Sequence, residues 1–459
     1  MINYLIRRIL LMFPTLIGIT IIVFAVMAAA PGGISAQGLT QGQDLKPAEK
    51  KALLDYYNKR YGLDDPAPVQ YLRWLNNVSP IGFTMDDDYN IKGFSFTKGS
   101  DLGESFNYGR PVSALIEERL PITLLLNVIT IPLIYIIAII VGIKAASDRG
   151  GSFDVGSNVI MLGMWSVPTM LIGVLLIGFF ANTQHWQWFP TAGLSDRAAH
   201  DMTYLPNGFS YLSIAKIFIA MLAGAFVAVL LSQWKQRNLR TAIFVIAGAA
   251  LGGWMANSHP ETLAVNWILL PLLGALTLGI MAWVDFPALR IGGLGLTGAS
   301  IGLLLAFMWI PDTPERGYLF DRMWHLVLPI ITLSYGSFAF LAKLIRTSVL
   351  ENLETDYART ARAKGVSEED VMSRHVFRNS LIPLITASAG ILPSLLAGSV
   401  IVESIFSIDG MGKLAIEAVN GRDKELMLSI TLISGLLTLI GYLITDFLYT
   451  LVDPRVSYE

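Results

Sequence analysis

Stretches of about twenty mostly apolar residues recur along this chain and constrain its fold more than any other feature. A hydrocarbon layer about 30 Å thick requires an apolar helix of roughly 20 residues, and such helices tolerate Pro and Gly. Six sharply bounded spans are predicted near residues 9–29, 120–143, 159–181, 325–346, 382–402 and 428–451. Four more, in an apolar block interrupted by polar segments, are predicted near 211–231, 241–257, 264–284 and 290–310. We therefore expect an all-α integral membrane protein.

Composition agrees with a bilayer environment and excludes several classes of function. The 459 residues are 53% hydrophobic and 15% charged, with a mean hydropathy of +0.55, whereas soluble domains carry about 25% charged residues. A net charge of −2 provides no field to attract nucleic acid, so no nucleic-acid partner is expected. The chain lacks cysteine, and its histidines do not fall at metal-motif spacing, so we expect no metal site, catalytic site or cofactor in this chain. The histidines are His185, His200, His259, His325 and His375.

The first span has two interpretations. Arg7 and Arg8 precede it and Ala28–Ala30 resembles a cleavage site, which would suit a signal peptide. Its apolar region is longer than the usual 7–15 residues or so of a signal peptide, which favours an uncleaved anchor.

The distribution of Lys and Arg predicts the orientation. Positive charge in short loops is retained on the cytoplasmic side, and with ten spans the basic loops at Arg7–Arg8, 144–149, 235–240 and 343–378 all fall on that side. Both termini are then cytoplasmic. Residues 31–118 form an extracytoplasmic segment, in which Pro47–Tyr61 has the spacing of a short amphipathic helix.

The loop between the spans at 325–346 and 382–402 carries the most informative motif. Three small alanines would permit close approach to a partner, three basic side chains would stay solvated, and the final glycine can end a helix in the left-handed conformation. Such a helix can dock into a groove of another protein. The alternative is a positive loop that serves only topology. After Asp356 the motif continues as Tyr357, Ala358, Arg359, Thr360, Ala361, Arg362, Ala363, Lys364 and Gly365.

Several separate blocks closely resemble the permease subunits of ATP-binding-cassette importers, specifically those of dipeptide and oligopeptide systems. They lie at Leu5–Arg8, Tyr61–Pro66, Gln70–Trp74, Asp101–Ser105, Arg119–Leu124, Trp324–Pro329, Glu403–Phe406, Gly410–Gly412, Asp446–Tyr449 and Asp453–Arg455. The resemblance implies that Tyr357–Gly365 is a coupling helix that inserts into a cytoplasmic ATPase. Arg359–Arg362 departs from the acidic residue frequent early in this motif, which bears on the choice of ATPase.

The resemblance also implies a domain layout and a set of partners. The layout is an N-terminal helix (1–30), an extracytoplasmic segment (31–118), core helices 2 and 3 (119–183), an insertion of about four helices (184–323), and core helices 4 to 6 with the coupling helix at 355–365 (324–459). The partners would be a second related permease, two cytoplasmic ATPases holding ATP and Mg²⁺, an extracytoplasmic solute-binding protein and membrane lipid. The complex would sit in a bacterial inner membrane and import peptides or related small solutes by alternating access.

Polar residues inside the spans are candidates for a pathway, although hydroxyls also bond their own helix. They are Asn127, Thr130, Asn158, Ser166, Thr332, Ser334, Ser337, Thr386 and Ser388. Glu403 and Asp446 lie near span ends, where pairing would make them structural, while Lys343 and Arg346 suit interfacial anchoring. No substrate contact is assigned.

Two other functions remain open at this point. The chain has no phosphate-binding loop of the GxxxxGK[ST] type, so energy must come from elsewhere. An ion-gradient-driven transporter would require interrupted helices and a central ionisable relay, and a scaffolding subunit would not need the coupling motif. The insertion itself is predicted to pack through a small-residue face, or else to meet a partner there. That face contains Gly292, Gly293, Gly295, Gly298 and Gly302.

Overall fold

A computed structural model describes residues 2–29, 65–85, 91–182, 185–205, 211–257, 266–284, 288–309, 317–396 and 399–452. The helix predicted over Pro47–Tyr61 lies outside these residues. The described chain is mostly helical, and it forms two compact units. The first unit comprises Met1–Ile143 and Leu333–Glu459, and the second comprises Lys144–Thr332.

The described elements follow the apolar pattern of the sequence. In chain order they are α1 (Ile2–Ala29), α2 (Ala67–Val78), β1 (Gly82–Met85), β2 (Ile91–Ser95), α3 (Val112–Ser147), α4 (Ser152–Ser166), α5 (Thr169–Phe180), a 3₁₀ turn (Arg197–Asp201), α6 (Tyr211–Ser232), α7 (Arg237–Asn257), α8 (Asn266–Trp283), a π-helical turn (Ala288–Gly293), α9 (Leu294–Trp309), α10 (Tyr318–Leu353), α11 (Asp356–Ala363), α12 (Glu368–Asp370), a second π-helical turn (Val371–Val376), α13 (Phe377–Leu396), α14 (Val400–Ile405), α15 (Met411–Asn420) and α16 (Lys424–Val452).

The all-α membrane class is confirmed. Among the described residues, eight helices are long and apolar enough to cross a membrane, or nine if a bent pair counts as one span, and a shorter apolar helix lies at Arg290–Ala306. Every predicted span overlaps one of these helices or α13 with α14. The division into six core and four inserted spans, and the domain limits, stay predictions.

One predicted span, 159–181, is not a continuous helix. Helix α4 ends at Ser166, α5 begins at Thr169, and the two axes differ by 97°. Val167 between them is extended, with φ −100° and ψ 124°, which is the conformation that a following proline imposes. Pro168 also lacks the N–H that would continue the ladder, so the helix breaks there.

Aromatic packing joins three elements of the first unit. The hydroxyl of Thr20 on α1 lies 2.9 Å from that of Tyr71 on α2. Tyr71 and Trp74 are buried in a cluster with Phe24 of α1 and Leu428 of α16. Helix α2 is thereby fixed against the C-terminal part of α1 and the N-terminal part of α16. The following β1 and β2 form an antiparallel hairpin that the sequence analysis did not predict.

The loop that follows β2 docks onto the start of α16. Asp423 accepts hydrogen bonds from the Ser105 hydroxyl (2.5 Å), the Asn107 backbone N–H (3.1 Å) and the Leu426 backbone N–H (3.1 Å). The Leu426 bond makes Asp423 the N-cap of α16. The resemblance block at Asp101–Ser105 therefore lies at the contact between this loop and α16.

Glycines bring the helices of the second unit into close contact. Gly224 of α6 meets Gly298 of α9, and Gly248 of α7 meets Gly274 of α8; a Cβ at Gly224 or Gly248 would lie 2.2 Å or 2.1 Å from the opposing carbonyl oxygen. Ala220 likewise meets Gly302, so α6 and α9 run antiparallel, and the α7–α8 hairpin lies between them in the chain. The small face predicted at 298 and 302 packs against α6, and it needs no partner to cover it.

Candidate functional site

The loop between α10 and α13 contains the predicted docking helix as α11. It begins three residues after α10 ends. Thr355 is extended at its N-cap, with φ −73° and ψ 158°, and Asp356 lies in the first turn, where a carboxylate interacts favourably with the helix dipole. The Thr360 hydroxyl donates to the Asp356 carbonyl at 2.8 Å.

Gly365 ends α11 in the way the sequence predicts. Its φ is +78°, in the left-handed region that suits glycine. The N–H of Gly365 donates to the Arg362 carbonyl at 2.9 Å, and the N–H of Val366 donates to the Ala361 carbonyl at 3.2 Å. These two bonds form a Schellman motif, which satisfies carbonyls that the helix end would otherwise leave unpaired.

The inner face of α11 packs on its own chain. Ala358 and Ala361 are buried at 0% and 6% exposure, and α11 contacts the π-helical turn Val371–Val376, whose end residues are fully buried. Two of the three alanines therefore permit close approach within the subunit. Only Ala363 is exposed, so it alone of the three alanines lies on the outward surface of α11.

Arg362 makes contacts within its own chain, although its side chain is still 35% exposed. Its Nη1 donates to the Leu353 carbonyl at the end of α10 (3.1 Å), and its Nε donates to Glu368 at 2.8 Å. The Tyr357 hydroxyl donates to the Asn352 side chain. Helix α11 is thus tied to the end of α10 and to the segment that leads into α13.

The remaining side chains form an outward surface, which we call the exposed face. The Arg359 side chain is 69% exposed and lies 3.6 Å from the carboxylate of Asp356. A small, cationic and partly aromatic surface of this kind suits a groove with acidic character. The exposed face consists of Tyr357, Arg359, Thr360, Ala363 and Lys364.

The two helices on either side of the loop are joined near its base. Ser348 of α10 and Ser380 of α13 are both buried. The Ser348 hydroxyl donates to the Ser380 carbonyl at 3.2 Å, and the Ser380 hydroxyl lies 3.4 Å from the Ser348 carbonyl. A displacement of α11 would therefore reach α10 and α13 together.

The two acidic residues near span ends have structural partners. Glu403 is fully buried and accepts hydrogen bonds from the Thr123 hydroxyl (3.0 Å) and the Lys413 backbone N–H (2.9 Å). Asp446 forms a two-point ion pair with Arg8, at 2.8 Å and 3.0 Å. Both carboxylates hold helices together, as pairing at a span end predicts.

The polar residues proposed for a pathway fall into three groups. Ser166, Thr332, Thr386 and Ser388 donate to a carbonyl four residues earlier in their own helix, and Asn158 bonds Asp154. Ser337 is half-buried. Of the two predicted interfacial anchors, Lys343 is exposed and Arg346 is half-buried. By contrast, Asn127 Oδ1, Thr130 Oγ1 and Ser334 Oγ are buried without a hydrogen-bond partner in the described chain. An unsatisfied buried polar atom costs about 1–3 kcal/mol, so these three remain the candidates.

Sequence reasoning missed one cluster of metal-binding residue types. In the described part of the chain, Asp196, Asp321 and His325 are the one group of three acidic or histidine side chains close enough to share an ion. The signal in the sequence was the spacing of Asp321 and His325, which at i and i+4 lie on one helix face. Asp196 is distant in sequence, so no local pattern includes it.

Comparison with known proteins gives a consistent result over the whole chain. A family model described as "Binding-protein-dependent transport system inner membrane component" matches residues 138–458, and the N-terminal model of the same type of membrane component matches residues 1–127. The oligopeptide transport system permease protein AppB of Bacillus subtilis is 28% identical over 456 residues, covering 99% of both chains. The peptidoglycan transport system permease protein YejB of Agrobacterium fabrum is 26% identical over 487 residues, covering 99% of this chain and 98% of its own.

A third relative matches less than half of the chain. The dipeptide transport system permease protein DppB of Bacillus subtilis is 34% identical over 206 residues, covering 42% of this chain and 66% of its own.

Proposed function

Because the chain belongs to the family of binding-protein-dependent transport system inner membrane components, we propose that it forms half of the solute pathway of an ATP-driven importer. It is a multi-pass inner-membrane permease subunit of the peptide-importer type and not an enzyme. The other half of the pathway would come from a second, related permease.

The exposed face of α11 carries the proposal that this chain receives its energy from an ATPase. The face is small and cationic, and α11 is held from behind by Ala358 and Ala361. Two cytoplasmic ATPase subunits, which would bind ATP and Mg²⁺, would each contact one permease. Their closure would displace α11 and switch the pathway between its two openings, as rigid-body coupling allows.

Peptides are the proposed solutes, delivered by an extracytoplasmic binding protein. The relatives bear the names of oligopeptide, peptidoglycan and dipeptide systems, and the solutes of all three share peptide bonds. Buried polar atoms such as Asn127 Oδ1 and Thr130 Oγ1 lie three residues apart on α3, on one face, and would suit hydrogen bonding to a passing solute.

Contacts within each unit support cytoplasmic termini. Ser105 bonds Asp423 in the first unit, and the Tyr318 N–H bonds the Thr203 carbonyl in the second. Each pair joins two loops that the charge distribution predicts to lie outside the cytoplasm. The ion pair of Arg8 with Asp446 joins two ends predicted to lie inside.

An ion-gradient mechanism is not favoured. Such a transporter needs ionisable groups that can exchange protons or ions along the pathway. Glu403 and Asp446 instead have fixed partners in the first unit.

Two matched arginine variants test the coupling proposal. Arg359→Glu reverses a charge on the exposed face, whereas Arg374→Glu reverses a similarly exposed arginine (77% against 69%) that pairs with Asp370 outside that face. We expect Arg359→Glu to weaken binding of the neighbouring ATPase subunits by at least about tenfold, since like charges at an interface are costly, and Arg374→Glu to bind as wild type. The measurement is co-purification and ATPase titration in nanodiscs. Equal behaviour of the two variants, or transport by the chain without any ATPase, would contradict the proposal.

A further inference from the structure

A cluster of three donor residues lies in the second unit, away from α11. Asp196 immediately precedes the 3₁₀ turn, and Asp321 and His325 lie on the first turns of α10. The Asp196 backbone N–H donates to Asp321 Oδ2 at 2.8 Å, which fixes the loop to the helix. One donor atom from each of the three side chains lies within 4.8 Å of the other two.

The surroundings of His325 determine which ring nitrogen is free. Its Nδ1 lies 2.9 Å from the Asp321 backbone carbonyl oxygen, and because a carbonyl can only accept, Nδ1 carries the hydrogen. In the neutral ring Nε2 then carries a lone pair. The His325 side chain is 1% exposed, and among the residues that the structure describes Nε2 has no hydrogen-bond partner.

This lone pair faces a second acceptor. Nε2 of His325 lies 3.6 Å from Asp196 Oδ1. A lone pair and a carboxylate oxygen repel each other at this distance unless a cation lies between them, and burial of the histidine strengthens that repulsion. Either a metal ion or a proton on Nε2 would remove it.

We propose that Asp196, Asp321 and His325 bind a divalent transition-metal ion of the Zn²⁺ type. One imidazole nitrogen and two carboxylate oxygens are a donor set that such ions accept, at about 2.0–2.2 Å from the metal. Tetrahedral geometry at these lengths places donors about 3.4 Å apart, close to the 3.6 Å between Nε2 and Asp196 Oδ1. The bond from Nδ1 to a backbone carbonyl is the outer contact that metal-binding histidines usually make.

The ion would clamp the loop of Asp196 to the first turns of α10. Asp321 is buried, whereas the Asp196 side chain is 53% exposed, so the ion could enter from solvent past Asp196 and keep a position open for water. Ca²⁺ and Mg²⁺ prefer six or more oxygen ligands, so the histidine favours a transition metal. This site does not rest on the coupling role of α11.

The test measures metal binding directly. The full chain is purified through a tag without histidine, placed in nanodiscs, stripped with a chelator and titrated with Zn²⁺ by calorimetry and with Co²⁺ by visible absorption. We expect one equivalent per chain, with a Co²⁺ spectrum typical of nitrogen and oxygen ligands. Asp196→Asn and His325→Gln should each weaken binding by at least about tenfold, the smallest effect common for loss of even an outer contact.

Two comparisons keep the outcome unambiguous. His200→Gln changes a nearby histidine outside the cluster, whose Nε2 lies 3.3 Å from the Ser195 hydroxyl, and it should bind metal as wild type. Asp196→Asn alters an exposed side chain, so it reports on binding even if His325→Gln fails to fold. Absence of metal binding by the wild type would overturn the proposal, and wild-type affinity in Asp196→Asn would overturn it equally.

Discussion

Replacing Gly365 with alanine isolates the contribution of the end of α11 to the proposed coupling. The φ of Gly365 is +78°, and a Cβ built there meets nothing within 4 Å. The substitution is therefore opposed by backbone conformation alone, which costs an L-residue roughly 1–2 kcal/mol in the left-handed region. In the free subunit the alanine can relax by leaving that region, and docking must then restore it.

This cost sets an upper limit on the loss of affinity. One to two kcal/mol corresponds to about 5- to 30-fold in an equilibrium constant, so Gly365→Ala should weaken ATPase binding by up to that factor. Gly365→Asn should lose less, because asparagine tolerates the left-handed conformation. Gly150→Ala is the matched control, since Gly150 has φ +74° and equally open surroundings but lies in the turn between α3 and α4.

The assay is a titration of labelled ATPase subunits onto the permease in nanodiscs, with solute-stimulated ATP hydrolysis as a second readout. The expected order of affinity is wild type and Gly150→Ala, then Gly365→Asn, then Gly365→Ala. If Gly365→Ala binds as tightly as wild type, the Schellman end does not contribute to docking. An equal loss in Gly150→Ala would show that the assay reports general strain.

Two further predictions concern stability. Gly248→Ala places a methyl group 2.1 Å from the Gly274 carbonyl oxygen, whereas Gly253→Ala on the same helix meets nothing within 4 Å. Because both substitutions gain similar helix propensity, the unfolding free energies of the two variants in a detergent titration should differ by the overpacking cost of about 1–3 kcal/mol. Equal unfolding free energies would refute the close packing of α7 on α8. Burial raises the pKa of Asp423 above its ordinary value, so the folded state holds the Asp423 proton more tightly than the unfolded state does. The free energy of unfolding should therefore fall as pH rises from about 3.9 through the raised pKa. The thermal stability of Asp423→Asn should decline less over that interval, and a pH profile identical to that of the wild type would contradict the raised pKa of Asp423.

Local chemistry explains why much of the fold and part of the site could be predicted. Apolar length identified the helices, and a glycine after a basic last turn identified the end of α11. Proline is less decisive: Pro329 remains inside α10, whereas Pro168 coincides with a 97° break. Whether a proline breaks a membrane helix depends on whether neighbouring helices or side chains can hydrogen-bond the carbonyl groups that the proline leaves unpaired. A single sequence does not contain that information.

Tertiary proximity explains what was missed. Ala358 and Ala361 could have faced a partner or their own chain, and only the position of Val371–Val376 decides between these. Asp196 lies 125 residues before Asp321, so their hydrogen bond has no local signature. The three orphaned polar atoms of α3 and α10 likewise follow from packing and not from residue type.

The contacts behind α11 bear on whether the loop serves only topology. Retention of a loop in the cytoplasm depends on its count of Lys and Arg, and it requires neither a left-handed glycine nor buried alanines. Here Ala358 has no exposed surface, Arg362 donates to the carbonyl of Leu353, and Ser348 bonds Ser380. Ordering these residues costs conformational entropy, and these contacts offset that cost. A loop that serves only topology does not need such contacts. Because the same contacts tie α11 to α10 and α13, a force on the exposed face would be transmitted to both of these helices, which supports the proposed coupling role.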